Sequence, residues 1–381
     1  MTGDLADLLA DHRPAPDRPR RAREGTALCL SGGGYRAMLF HAGALIRLNE
    51  TGLLGRLDFV SSVSGGSIAA GALACGWSRL TWADGVATNL DTAVVDPLMQ
   101  LAGHTIDRPS VLTGALLPFR TIAEQAVRAY RKHLFADMST RDLPDHPRFV
   151  FTATNLQSGA LLRISKKYLR DWRVGKVDVP DVPIAVAVAA SAAFPPVLSP
   201  VRLRIPTGAW SETGDALADP AYRTEMVLSD GGVYDNLGLE PVIKRCSTIL
   251  VSDGGGQLRP RTRVAVTWAR HTARVLSVID QQVRNLRSRM LIQGYEDGVY
   301  QGAYWGIRTP IEQYGTPGAL DCPEPSTRLL AQTPTRLKAL DVVHRQCLAN
   351  WGYAVCDAAV RRHVVKDAPK PAFPWPEAAV G

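Results

Sequence analysis

Three short stretches carry residue types that could do chemistry. Ser62-Val63-Ser64-Gly65-Gly66 lies between a β-rich run, Phe59 to Val63, and a small-residue segment, Ser67 to Cys75. A serine on a sharp strand-to-helix turn exposes its hydroxyl, and small neighbours let strand and helix close around it. The helix amino terminus also presents free N–H groups to a developing anion. The run is G-x-S-x-G with serine at the first glycine, so a plain tight turn is the competing reading. Ser61, Ser62 and Ser67 are further hydroxyls that fit helix caps as well.

Ser31-Gly32-Gly33-Gly34-Tyr35-Arg36 follows the apolar run Ala27 to Leu30 and opens a second helix. Successive glycines let backbone N–H groups converge on an anion with no Cβ in the way. A phosphate loop is the weaker reading, because G-x-x-x-x-G-K-[ST] is absent and G-x-G-x-x-G fails at Ala37. The better one is an oxyanion hole: the Gly33 and Gly34 amides face a carbonyl oxygen as it becomes tetrahedral, with Arg36 holding the loop or meeting a phosphate. In the third stretch, Leu228 to Asn236, Asp230 ends an apolar strand before two glycines. Such an aspartate can serve a serine from another strand end as general base if burial raises its pKa. An Asx turn competes, and Asp253-Gly254-Gly255 repeats the pattern at a second strand end. Asp235 and Asn236 read as turn formers. None of the eight histidines sits in a strand-end loop after an acid, so a Ser-His-Asp triad lacks its imidazole.

The elements that must position these residues follow from periodicity. Tyr35 to Glu50 carries its apolar residues near helical spacing. Strand, glycine turn and helix thus occur twice in succession, which predicts parallel strands in an α/β sheet with ligands at the strand carboxyl ends. Residues 78–147, punctuated by five prolines, read as a helical cap over the sheet. Phe149 to Thr154, Leu161 to Ser165, Met226 to Leu228 and Thr248 to Ser252 read as strands, Pro183 to Ala193 as an apolar helix, and 206–224 as a polar loop. A long helix is expected over about 263–294, a Gly/Pro-rich loop to about 333 and a helical stretch over 335–365. Residues 1–24, with a short helix around Leu5 to Leu9, form a basic, proline-rich tail, and 368–381 another; 25–367 is one domain.

With 381 residues, 46% hydrophobic and 21% charged, the chain can bury a substantial core, which excludes disorder or coiled coil for the whole. The 44 Lys and Arg against 36 Asp and Glu leave a net charge of +8, too diffuse to indicate nucleic acid. Arginines 270, 274, 284, 287 and 289 on the long helix fit either a solvated helix face or peripheral contact with anionic membrane. Six cysteines without a C-x-x-C pair read as buried thiols in a reducing compartment, and neither disulfide nor metal is expected. There is no apolar leader, so a cytoplasmic protein with possible contact at the inner membrane surface is expected.

Together, SGGGYRAM at 31–38, SVSGGS at 62–67 and DGGVYDNLG at 230–238 resemble the patatin-like phospholipases, and SGGGYRAM is also similar to animal cytosolic phospholipases of that superfamily. TATNLQSG at 152–159 and ASAAFPPVLSPV at 190–201 resemble segments between its nucleophile and acid, so the resemblance covers 25 to about 260. It implies a three-layer α/β/α fold with a mostly parallel central sheet, and a Ser–Asp dyad with no histidine. Ser64 is then the nucleophile, Asp230 the base, Gly32, Gly33 and Gly34 the oxyanion loop, and Arg36 a substrate-binding residue beside it. Asn236, a few residues after Asp230, selects that aspartate over Asp253. The implied activity is hydrolysis of phospholipid or other acyl esters through an acyl-enzyme, with no cofactor. A Ser-His-Asp esterase, or a silent member serving as a binding module, is the alternative, and a restrained version is an effector kept inactive until a partner or small ligand opens the cap. Ser62 stands where many members have glycine, and the helices beyond about 260 match no motif.

Overall fold

The computed structural model describes residues 24–107, 122–195, 198–211 and 217–380, apart from 257, 259 and 265. The helix expected around Leu5 to Leu9 and the rest of the amino-terminal tail before Glu24 lie outside them. Strands β1 (Thr26–Leu30), β2 (Phe59–Ser62), β3 (Arg148–Asn155), β10 (Thr248–Asp253) and β11 (Gln301–Gly306) are parallel, in the spatial order β11-β10-β1-β2-β3. Beyond β3 the 11-stranded sheet continues antiparallel through β4 (Ala160–Ile164), β5 (Tyr168–Asp171), β6 (Gly175–Asp178) and β8 (Trp210–Ser211). A branch of β7 (Val201–Arg204) and β9 (Glu225–Asp230) joins β3 through β9.

The central strands are apolar throughout because both faces are covered. In β1, Leu28 and Leu30 enter the larger core, whereas Ala27 and Cys29 enter a smaller one with Leu237, Ile249, Val251 and Leu291. Alternate residues of a strand point to opposite faces, so β1 is wedged between two helical layers. On one side pack α1 (Gly34–Glu50), α2 (Gly65–Gly76), α5 (Ile184–Ser191) and α8 (Val342–His363). On the other lie the short α6 (Gly232–Asp235) and the long α7 (Trp268–Glu296). This is the three-layer α/β/α fold with parallel central strands.

Helix α1 is buried on every side except at Glu50, because α8 covers the face the sheet leaves open. The two helices meet at glycines: a Cβ on Gly43 would lie 1.7 Å from the Ala349 carbonyl oxygen, and one on Gly352 1.9 Å from that of Phe40. Arg47 of α1 and Asp357 of α8 form an ion pair of 2.6 Å, both side chains fully buried. Removing one partner of such a pair typically costs about 3–5 kcal/mol.

The described part of 78–147 includes α3 (Asp96–Leu101) and α4 (Ile122–Tyr130), which pack on α2 and α5. The segment 295–333, expected to be a loop, contains β11 and a helix, Glu324–Ala331. QGAYWG has glycine at its second and last positions and no strand-like alternation, and pairing with β10 is what extends it.

Candidate active site

Strand β3 explains how two distant stretches meet. Its first half pairs in parallel with β2, ending at Ser62 opposite Phe151. Its second half pairs antiparallel with β9, ending at Asp230 opposite Ala153. Strand β4 occupies the other edge over Phe151 to Asn155, so β2 and β9 share one edge and run toward each other. Their carboxyl ends stop two β3 residues apart, about 7 Å along the strand.

Just past β2, Ser64 adopts φ 52°, ψ −120°, a left-handed conformation that costs a non-glycine residue roughly 1–3 kcal/mol. Close packing holds it there: a Cβ on Gly65 would lie 2.3 Å from the Gly34 carbonyl oxygen, and one on Gly66 2.3 Å from that of Leu30. The Ser64 N–H donates to Ser191 Oγ at 3.0 Å. Ser67 donates to Ser62 Oγ at 2.9 Å, so in the 2.7 Å contact between Ser191 and Ser67 it is Ser191 that donates. Ser62 in turn reaches the Val150 carbonyl at 3.5 Å. The serine at the usual glycine position is therefore absorbed into a hydroxyl chain behind the elbow.

Asp230 is 1% exposed. Its Oδ1 accepts from the Gly232 N–H at 2.7 Å, whereas Oδ2 is buried with no donor in hydrogen-bond geometry. Burial raises its pKa from 3.8 to about 7; the Gly232 amide and the nearby Ser64 hydroxyl oppose this, and Asp280 adds to it. A carboxyl that half-ionises near neutrality, with one empty lone pair, is equipped to take a proton. Asp253 is differently placed. Although burial alone would raise its pKa, Arg284 and Arg308, the Tyr304 hydroxyl at 2.7 Å and the Gly255 amide hold it below the ordinary value. It is a fixed counter-ion.

The glycine loop opens beside Ser64. Gly33 and Gly34 have φ of 149° and 61°, values that favour glycine. As cap and first residue of α1 they have no intrahelical acceptor for their amides, and no described acceptor outside the helix takes them. Gly32 differs: its N–H donates to both the carbonyl oxygen and Oδ1 of Asn236, each at 3.1 Å. Arg36 is 2% exposed. Its Nε donates to the Gly254 carbonyl at 3.0 Å and its guanidinium to that of Thr333 at 2.5 Å. Burial, with Arg284 nearby, lowers its pKa to about 9. Of the two roles considered for Arg36, holding the loop is the one its bonds perform.

Ser64, Asp230 and Gly33 open on a cavity of about 630 Å³, whose far wall is α7. Asn236 Nδ2 donates to Asp280 Oδ1 at 3.0 Å; Asp280 Oδ2 receives Arg284 at 3.1 Å, and Arg284 reaches the Gly256 carbonyl at 2.8 Å. This network runs from the glycine loop to α7. Sequence reasoning missed Asp280, assigned Arg284 to the outer, lipid-facing side of the helix and took Asn236 for a turn former. The signal available was i, i+4 spacing of opposite charges, common on solvated helices. Among the described residues no histidine lines the cavity, and neither does any residue of 78–147. His41 lies behind the loop, donating from Nε2 to the Ser31 carbonyl at 2.9 Å and accepting at Nδ1 from Ser252 at 2.8 Å. Burial lowers its pKa to about 4.

A family model for patatin-like phospholipases matches residues 28–243, more than half of the chain. The chain belongs to the patatin-like phospholipase family. The match stops before α7, so this member's cavity wall is built by residues outside the family segment. Among solved structures, human GIVD cytosolic phospholipase A2 is similar over 89% of this chain and 61% of its own, at 11% identity and a TM-score of 0.49. Its complex with methyl gamma-linolenyl fluorophosphonate is similar over 94% and 60%, at 13% identity and 0.48. VipD from Legionella pneumophila is similar over 93% of this chain and 73% of its own, at 16% identity and 0.38. The chain thus spans about three fifths of the human enzyme's length. No curated protein sequence matches it.

Proposed function

We propose that this patatin-like protein is a serine acyl hydrolase that cleaves fatty acyl esters of glycerophospholipids through Ser64 and Asp230. The observation that carries the reading is the meeting of two strand ends on β3, which sets a strained serine beside a carboxyl whose pKa is raised to about 7. Ser64 Oγ attacks the ester carbonyl while its proton passes to Asp230 Oδ2. The carbonyl oxygen becomes an oxyanion, received by the unspent amides of Gly33 and Gly34; one such donor typically contributes about 3–4 kcal/mol. Collapse returns the proton to the leaving alcohol and leaves an acyl-enzyme, which water, deprotonated by Asp230, then hydrolyses. In this scheme Gly32 and Arg36 set the loop's position. The arginines on the cavity wall and rim, Arg261, Arg274 and Arg284, favour an anionic headgroup.

The test is activity on a soluble p-nitrophenyl ester and on phospholipid vesicles, with fluorophosphonate labelling alongside. Ser64→Ala is expected to abolish labelling and Asp230→Asn to cut turnover by at least about 10³-fold. Unchanged rates in either variant would remove the dyad, and a protein that never labels would be a silent binding module. If one histidine variant alone proved inactive, the dyad would give way to a triad. Among the described residues no helix is long and apolar enough to cross a membrane. Of the five arginines expected to meet anionic lipid, Arg284 is 5% exposed and Arg287 pairs with Asp235 and Glu240. Of the others, Arg270 and Arg289 are exposed.

A further inference from the structure

Helix α7 is amphipathic in the reverse sense. Its polar residues Ser277, Asp280 and Arg284 face the cavity, whereas Trp268, Val275, Ile279, Leu286 and Met290 are 82%, 43%, 53%, 61% and 47% exposed. Their spacing alternates seven and four residues, an 11-residue repeat that keeps one side of a nearly straight helix. The stripe extends about 33 Å at 1.5 Å per residue. Val266, just before the helix, is 94% exposed. Arg289 is exposed beside the stripe, and the exposed Phe194 lies at the cavity's edge.

We infer that this stripe is the docking surface by which the protein lies on an anionic phospholipid bilayer, with α7 in the interfacial plane and the cavity on the inner side of that helix. The inference rests on the hydrolase reading for why a lipid surface is wanted there, but three observations select the bilayer as occupant. The stripe is long and straight, matching a flat surface. Arg289 beside it complements anionic headgroups, and a tryptophan stands at its end, an arrangement typical of interfacial helices. Finally, the same helix supplies the cavity wall, so whatever covers its outer face lies about one helix diameter, roughly 10 Å, from the cavity.

The experiment measures co-sedimentation of Ser64→Ala protein with phosphatidylcholine vesicles, with and without phosphatidylglycerol, so that no lipid is consumed. In that background Ile279→Gln and Leu286→Gln are each expected to lower partitioning roughly tenfold. Arg289→Gln should weaken binding only to the vesicles containing phosphatidylglycerol. The same substitutions in Ser64-containing protein should leave hydrolysis of a soluble short-chain ester unchanged. Partitioning that ignores the stripe substitutions overturns the inference, as does absence of any vesicle binding. So does a lipid-free dimer that these substitutions dissociate, which would make a second copy the occupant. A protein inert on the soluble ester whose stripe variants still lose vesicle binding would sink the hydrolase reading and keep the docking surface. Normal ester hydrolysis with unaltered partitioning would do the reverse.

Discussion

Asp230 is kept ready for proton transfer by being buried with Oδ2 unpaired, and that arrangement has consequences in two measurements. As the base must be ionised, turnover should rise with pH through about 7 and level off above it. A rate already flat from well below that point would show that another group governs. The second consequence is a stability slope. The folded carboxyl holds its proton up to about pH 7 and the unfolded one only to 3.8; between these values the folded state binds more protons, so stability falls as pH rises. Asp230→Asn removes the ionisation, and its urea midpoint should exceed wild type at about pH 8, by on the order of 2 kcal/mol, and match it near pH 4. A midpoint lowered at both pH values would mean that the carboxylate is stabilising. The serine end was legible from SVSGGS, because an elbow needs small residues in a fixed order. The raised pKa was legible only as a condition, since burial of Asp230 depends on the segment 191–193, whose carbonyls accept the Asp230 and Gly231 amides.

Among the elements, the loop before α1 is held from two sides, by Asn236 after α6 and by Arg36 across to Gly254 and Thr333. Asn236→Ala removes the Oδ1 acceptor of Gly32 and the donor to Asp280 while leaving the Gly33 and Gly34 amides chemically intact. Its expected effect is a kcat lowered about 10–100-fold with KM nearly unchanged, as befits a positioning residue. A change confined to KM would instead assign Asn236 to substrate binding. Helix α7 was placed within a few residues by its periodicity, yet its orientation was not legible. Both the apolar stripe and the charged residues repeat helically, and nothing in their spacing says which of them meets the protein.

On the scale of the whole molecule, the segment that matches the family model ends at 243, but the core does not. Helix α8 covers α1, α7 walls the cavity, and β11 completes the parallel block beyond β10. A chain ended at residue 257 should therefore fail to fold, because α1 would lose the partner for its Gly43 face and Arg47 its buried Asp357. Recovery of a soluble, cooperatively unfolding fragment would show that the later helices are accessory.

What the sequence by itself determined is local: the elbow at Ser64, the glycine loop at 32–34, the strand-ending Asp230 and the runs that become β1, β2, β3 and β10. Each depends on residues adjacent in the chain, where φ preference, side-chain size and hydrophobic period act directly. Tertiary structure alone decided that β2 and β9 converge on one edge of β3, that Gly32 spends its amide on Asn236, and that Asp280 and Arg284 turn toward the cavity. It also decided that Asp253 is a counter-ion while Asp230 is not, because an identical Asp-Gly-Gly turn acquires its proton affinity from the cations, amides and depth of burial that the distant chain brings to it.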